Sequence, residues 1–201
     1  LLRVLSGSPS FYAWGQDFAF GKRRGVLGWV LSRILWKKAA ATKTFVFGKV
    51  RGRMLVLSIL ANQLDCLHIC TTDRSEWSVG FYDPHGDGVG DIAPLQHLFK
   101  TQIRQVASAL QIPEQVLRQP SSGDLAAGLP NEVAMGLSYE ELDLILAGFS
   151  LGLDDETISI QSGLRRMLVA AVRSACRTAD ERRALPVRLN PPRAINSTNH
   201  L

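Results

Sequence analysis

The feature that most constrains the fold is a short apolar run, Leu64–Thr71 (LDCLHICT), followed at once by a long glycine- and aspartate-rich stretch, residues 72–93. An apolar segment of this length without strict alternation reads as a central strand covered on both faces, the pattern of parallel sheets in α/β proteins. Helical periodicity surrounds it. VRGRMLVLSILANQ (Val50–Gln63) suits a buried helix, weakened at Gly52, and Pro94–Leu110 reads as an amphipathic helix with Pro94 in a favoured first-turn position. A second short helix follows Pro113. Strands alternating with helices imply a parallel sheet flanked by helices, with ligands taken up at the carboxyl ends of the strands. The loop after Thr71 lies at such an end, and a loop this long inside a compact domain is usually functional or disordered.

Further along, residues 119–136 form another loop rich in Ser, Gly, Pro and Asn, ending in Ser138-Tyr139-Glu140-Glu141. That string fits a capping box, with the Ser138 hydroxyl accepting from the amide of Glu141 and the Glu141 carboxylate reaching back. YEELDLILAGF is the helix it starts; Gly152–Thr157 makes a turn, and Ile158–Ala179 reads as one or two more helices. From Leu185 onward the chain is rich in Pro and Asn and reads as an extended or disordered tail. Nearer the start, LSGSPS is a turn, GKRRG a basic loop, Gly25–Trp36 has helical spacing, and TFVFG (Thr44–Gly48) is β-like. This organisation divides the chain into a basic segment 1–44, a domain 45–183 and a tail 184–201.

Composition excludes several classes. With 46% hydrophobic and 20% charged residues in 201, the chain is an ordinary globular one, not a coiled coil or a disordered polymer. The longest apolar run near the N-terminus, Gly25–Trp36, is broken by Arg33 and is far short of the ~20 residues of a membrane span. It also lacks the cleavage site of a signal peptide. Cys66, Cys70 and Cys176 show no metal-ligand or disulfide spacing; they read as buried, reduced thiols and point to a reducing, cytoplasmic compartment. Charge is uneven: residues 1–53 carry eleven Lys and Arg against Asp17 alone, a net of +10, whereas the remainder nets −5. The basic part suits phosphate-bearing ligands or a nucleic acid, or is a solvated face.

Several motifs compete for the loops. Asp83, His85 and Asp87 with Gly88 look like the start of a calcium loop, but its twelfth position, which needs a bidentate acid, is Pro94. Gly86 and Gly88 fit two glycines of a dinucleotide fingerprint, yet Asp91 stands at the third. The C-terminal third could be a helix-turn-helix, with Arg165, Arg166, Arg173 and Arg177 on its second helix to meet phosphates.

One reading accounts for more of the chain. In order, the Arg-x-Arg-Met of Arg51, Arg53 and Met54, the turn TTDRSE with Thr71 and Glu76, GFYDPHGDGVGDIAPL, FKTQ with Lys100, RQPSSGDL, MGLSYEELDLIL and ADERRALP resemble segments of the ammonia-dependent NAD synthetases, members of the ATP-pyrophosphatase superfamily. The likeness spans about residues 47–190. It implies an adenine-nucleotide-hydrolase-like α/β fold, and a ligase that adenylates the nicotinate carboxylate of deamido-NAD with ATP and lets ammonia displace AMP. By residue, it implies that Thr71, Lys100 and Ser122 contact ATP, that Glu76 ligates Mg2+, and that Arg51, Asp91 and Arg182 hold deamido-NAD. It also implies a homodimer, with the helix around Arg51–Gln63 contributing to the interface. The carboxylate of Glu76 is the hard oxygen donor magnesium prefers, and Lys100 is a point charge for phosphates.

Departures from the family pattern stand beside these matches. Its SGGxDS pyrophosphate loop is missing; the nearest string, Leu5–Ser10, lacks the acid, so the domain reads as N-terminally truncated. Pro84 replaces a lysine, Phe47 and Asp73 replace asparagines, and Glu181 and Arg182 replace a His-Lys pair. No residue is assigned a catalytic role, and the missing loop implies an incomplete site. The rivals are another adenylating enzyme of the superfamily, which would share Lys100 and Glu76, and a non-catalytic nucleotide- or nucleic-acid-binding protein resting on the basic N-terminal segment.

Overall fold

The computed structural model describes residues 47–124 and 130–183. The readings made for residues 1–46, including the Leu5–Ser10 string and the helix at Gly25–Trp36, and for the tail 184–201 lie outside the described residues. Within them the chain is helical: α1 (47–64), α2 (Arg74–Val79), α3 (Lys100–Ala109), α4 (Glu114–Leu117), α5 (Asn131–Met135), α6 (Tyr139–Ser150), α7 (Asp155–Ser162) and α8 (Arg166–Arg183).

The core is built around α6. Tyr139, Leu142, Ile145 and Leu146 repeat at helical spacing and are buried against Val79 of α2, Phe99, Met135, Ile158 of α7, and Val169, Val172 and Ala175 of α8. Each such large side chain contributes roughly 1.5–3 kcal/mol on leaving water. Gly148 lets α7 approach α6: a Cβ there would lie 2.7 Å from Cγ1 of Ile158. The capping box expected at Ser138 is present, with Glu141 N–H donating to Ser138 Oγ at 3.1 Å and Ser138 N–H to Glu141 Oε2 at 2.9 Å. The C-terminal helical region proves to be two helices, α7 and α8.

Several expectations are corrected. The segment 72–93 is not all loop: Asp73 caps α2, accepting from the amide of Glu76. The loop 119–136 likewise contains α5. Residues 94–98 are turns, so α3 starts at Lys100 rather than at Pro94; Phe99 is its N-cap and Gln102 reaches back to the Phe99 amide at 2.9 Å. Phe47 and Gly48, read as β-like, belong to α1. That helix forms but is not buried: Leu55, Val56, Leu57, Ile59 and Leu60 are exposed, because no element among the described residues packs on them.

The expected strand at 64–71 survives only as an extended segment with one parallel bridge, Ile69 to Ile92. Cys70 N–H donates to Ile92 O and Asp91 N–H to His68 O, each at 2.8 Å. A ladder needs a neighbour along its whole length, and among the described residues only 91–92 run beside this segment. Gly90 permits even that contact, since a Cβ there would stand 2.6 Å from the Cys70 amide nitrogen. The parallel sheet is therefore not seen among the described residues. Of the cysteines, all free, Cys70 is buried as expected but Cys66 is exposed, because it follows the end of α1 rather than sitting in a covered strand. No helix among the described residues is long and apolar enough to cross a membrane.

Candidate functional site

A cleft of about 430 Å³ opens between α1, the loop after Thr71, the starts of α2 and α3, and the turn at 121–123. Its walls carry Thr71, Glu76, Lys100 and Ser122 together with Arg53, Thr72, Asp87 and Asn131.

Glu76 owes its place to local chemistry. Asp73 Oδ1 accepts from the Glu76 amide at 2.8 Å, and Glu76 Oε2 accepts from the Asp73 amide at 3.4 Å, so the box that starts α2 also turns the Glu76 side chain back. Its Oε1 accepts from Tyr139 Oη at 2.8 Å and from Asn131 Nδ2 at 3.3 Å. Burial, and then the neighbouring Asp73 carboxylate, push the Glu76 carboxyl up to about 6; Lys100 and Tyr139 act against that rise.

Lys100 is the first residue of α3. Its backbone N–H donates to Ser75 Oγ at 2.9 Å, and Ser75 Oγ donates to Asp143 Oδ1 at 2.5 Å. Asp143 Oδ2 accepts from the Thr101 amide at 2.9 Å, so one buried carboxylate on α6 fixes the start of α3 against α2. The Lys100 ammonium stands 3.0 Å from Asp73 Oδ2, 3.8 Å from Glu76 Oε1 and 5.1 Å from the Tyr139 ring centroid. Asp73 is fully buried; its Oδ2 makes no hydrogen bond of regular geometry and is compensated by this ammonium charge. Burial alone would lower the Lys100 pKa, but the Glu76 and Asp73 anions outweigh it and raise it above its ordinary value. Burial and the Glu76 charge also raise the Tyr139 phenol, which stays protonated as a donor.

The turn carrying Ser122 is held from both sides. Arg53 donates to the carbonyls of Gly123 and Asp124 at 2.8 and 3.1 Å, and the Asn131 amide donates to Ser121 O at 2.8 Å. Thr72 Oγ1 donates to Asp87 O at 2.9 Å, drawing the glycine-rich loop to the cleft wall.

The remaining sequence candidates do not line this cleft. Arg51 donates through Nε and Nη2 to the Asp83 carboxylate at 2.8 and 3.3 Å, securing the loop to α1. Asp91 is exposed, and its Oδ2 accepts from the His68 amide at 2.8 Å, beside the parallel bridge. Arg182, in the last turn of α8, has its pKa lowered by burial against the favourable influence of Tyr82 and Asp83, which places it in the same neighbourhood as Arg51. Among the residues missed by sequence reading are Arg53, Asp87, Asn131, Tyr139 and Asp143. Arg53, Asp87, Tyr139 and Asp143 stood inside quoted strings without a role in this cleft, whereas Asn131 stood in none of them.

Other motifs resolve differently. Asp83, His85 and Asp87 bond among themselves, with the His85 amide donating to Asp83 Oδ1 and the Asp83 amide to Asp87 Oδ1. No cluster of three or more His, Cys, Asp or Glu able to hold a metal occurs among the described residues. Magnesium is usually held by one or two carboxylates together with waters and substrate phosphates. Glu76, with oxygen-bearing neighbours in an open cleft, fits that donor set. Of the four arginines read as a recognition face, Arg173 pairs with Asp155 at 2.5 Å and Arg166 with Glu156 at 3.6 Å, so two of them are engaged by α7.

Comparison with known proteins agrees with the cleft. A family model described as NAD synthase matches residues 37–186. An NH(3)-dependent NAD(+) synthetase of Hyperthermus butylicus is 36% identical over 148 residues, covering 73% of this chain and 54% of that protein. One of Coprothermobacter proteolyticus is 43% identical over 104 residues, covering 52% and 35%. Among solved structures, an NMN synthetase from Francisella tularensis superposes with a TM-score of 0.56 at 26% identity, over 76% of this chain and 60% of that one. An NH3-dependent NAD synthetase from Campylobacter jejuni gives 0.53 at 18% identity over 89% and 62%, which speaks for the fold alone. The chain spans about half the length or less of the curated relatives it matches. With its family model covering most of the chain and its relatives sharing one name, the chain belongs to the NAD synthase family.

Proposed function

We propose that this chain carries part of the nucleotide site of an NAD synthetase-type ligase, which amidates deamido-NAD with ammonia through an acyl-adenylate at the expense of ATP. The observation that carries this reading is that Thr71, Glu76, Lys100 and Ser122, assigned from three separate strings of sequence, line one cleft. In it, Thr71 and Ser122 offer hydroxyl and backbone contacts to ATP, and Lys100 offers N–H donors to its phosphates while Asp73 anchors its position. Glu76 would ligate magnesium. When bound, that ion supplies charge neutralisation at the phosphate oxygens as adenyl transfer proceeds. Arg51, Asp91 and Arg182 form the deamido-NAD side of the reading. Arg51 and Arg182 both lie toward Asp83, which supports a shared role for these two, whereas Asp91 reaches it only through the loop it ties to His68. The exposed apolar residues of α1 support a homodimer that covers them, and free thiols suit a cytoplasmic setting.

Calorimetry of the purified chain with magnesium–ATP and with deamido-NAD, titrated separately, tests the proposal. Binding of magnesium–ATP that Glu76→Ala weakens by about tenfold or more is the expected result. No binding of either ligand, or an affinity for ATP indifferent to Glu76→Ala, would overturn it.

A further inference from the structure

We propose that Tyr139 and Asn131 are positioning residues that hold the Glu76 carboxylate in the orientation in which it meets a divalent cation in the cleft. The inference rests on the reading of that cleft as a magnesium–ATP site. A glutamate at the end of a flexible stem gives up rotamer freedom when it is fixed, so a ligand held in place beforehand binds its ion better than a free one. Here the fixing is done by two donors from two different helices. Tyr139, wholly buried at the first position of α6, donates its hydroxyl to Glu76 Oε1 at 2.8 Å. Asn131, the first residue of α5, donates from one Nδ2 both to that Oε1 at 3.3 Å and to the Tyr139 oxygen at 3.0 Å. The three groups form a directed chain, amide to phenol to carboxylate, in which each bond polarises the next.

The consequence is asymmetric. Oε1 is held by the two donors, with Lys100 3.8 Å away, while Oε2 accepts only the long 3.4 Å contact from the Asp73 amide and is the oxygen left with capacity for a cation. Asn131 has a second tie. Its backbone N–H donates to Ser121 O, so the residue that orients Glu76 also anchors the turn bearing Ser122. The cation ligand and the turn that closes the cleft therefore share a support.

The test is a magnesium titration at fixed ATP, followed by calorimetry on the full chain, for wild type, Tyr139→Phe and Asn131→Ala. Tyr139→Phe keeps the buried ring and removes only the donor; Asn131→Ala changes a half-buried side chain and stands in if the first variant does not fold. Each is expected to raise the magnesium concentration for half-maximal ATP binding by about tenfold, with ATP affinity recovering at saturating magnesium. A purely structural tie between helices would lower the melting temperature and leave that midpoint within about twofold of wild type, and this result overturns the inference. If wild type itself binds ATP without magnesium dependence, the function proposed above falls and this inference with it. If wild type depends on magnesium and both variants keep its midpoint, only this inference falls.

Discussion

Replacing Asp143 by alanine removes one buried carboxylate that joins three helices. Asp143 is 5% exposed; its Oδ1 accepts from Ser75 Oγ and its Oδ2 from the Thr101 amide in the first turn of α3. A hydrogen bond to a charged group contributes about 1.5–3 kcal/mol, and a buried donor left without its partner bears the desolvation cost as well. Favourable placement of an anion at a helix N-terminus adds about 0.3–1 kcal/mol. The two bonds and the helix contribution together predict a loss of about 3–7 kcal/mol. For a domain of this size that is a fall in Tm of about 6–28 °C. Asparagine is not a neutral substitute, because turning its oxygen to Ser75 points its NH2 at the Thr101 N–H, so Asp143→Asn is expected to lose about 2–3 kcal/mol. Urea unfolding followed by tryptophan fluorescence measures both variants, with an unchanged m-value showing that stability and not the unfolded state has moved. A change below about 1 kcal/mol in Asp143→Ala would show that water replaces the carboxylate at no cost, and the account of how α3 and Lys100 are fixed would be wrong.

Two further outcomes follow from the same geometry. The folded chain holds the Glu76 proton more tightly than the unfolded chain, about 6 against 4.5, so unfolding releases a proton between these values and stability falls as pH rises through that window. In metal-free buffer the urea midpoint of wild type should drop from pH 5 to pH 7 by more than that of Glu76→Gln; parallel profiles would contradict the buried setting of this carboxyl. Burial pushes the Cys176 thiol up to about 11, leaving roughly one thiolate in a thousand at pH 8. Native alkylation read by peptide mass should therefore label exposed Cys66 well before Cys176, and equal rates would refute the packing of α8.

The elements most legible in the sequence were those governed by local rules. Ser138 and Glu141 are three residues apart, and their reciprocal bonds require nothing beyond that spacing. The same rule, applied to Asp73 and Glu76, would have revealed α2, which at six residues is too short for periodicity to show. Burial was less legible. Apolar spacing in α1 describes the helix but not what covers it, and the strand-like run at 64–71 has its partner only at Ile92 among the described residues. Cys66 was misplaced for the same reason.

By itself the sequence, through its family resemblance, supplied the candidates for a nucleotide site: Glu76 with a hard oxygen donor, Lys100 with a cationic one, Thr71 and Ser122 with hydroxyls. It could not determine that they meet, because the contacts joining them cross long spans of chain; Tyr139 and Glu76 are 63 residues apart. Nor could it show that Arg51 turns to Asp83 and Asp91 to the His68 amide, since a charged side chain takes whichever partner folding brings within reach. Tertiary structure decided those pairings. Desolvation drives the choice: once the apolar face of α6 is buried, Asp143, Tyr139, Asp73 and Glu76 lose water and must find donors or counter-charges among the groups packed beside them.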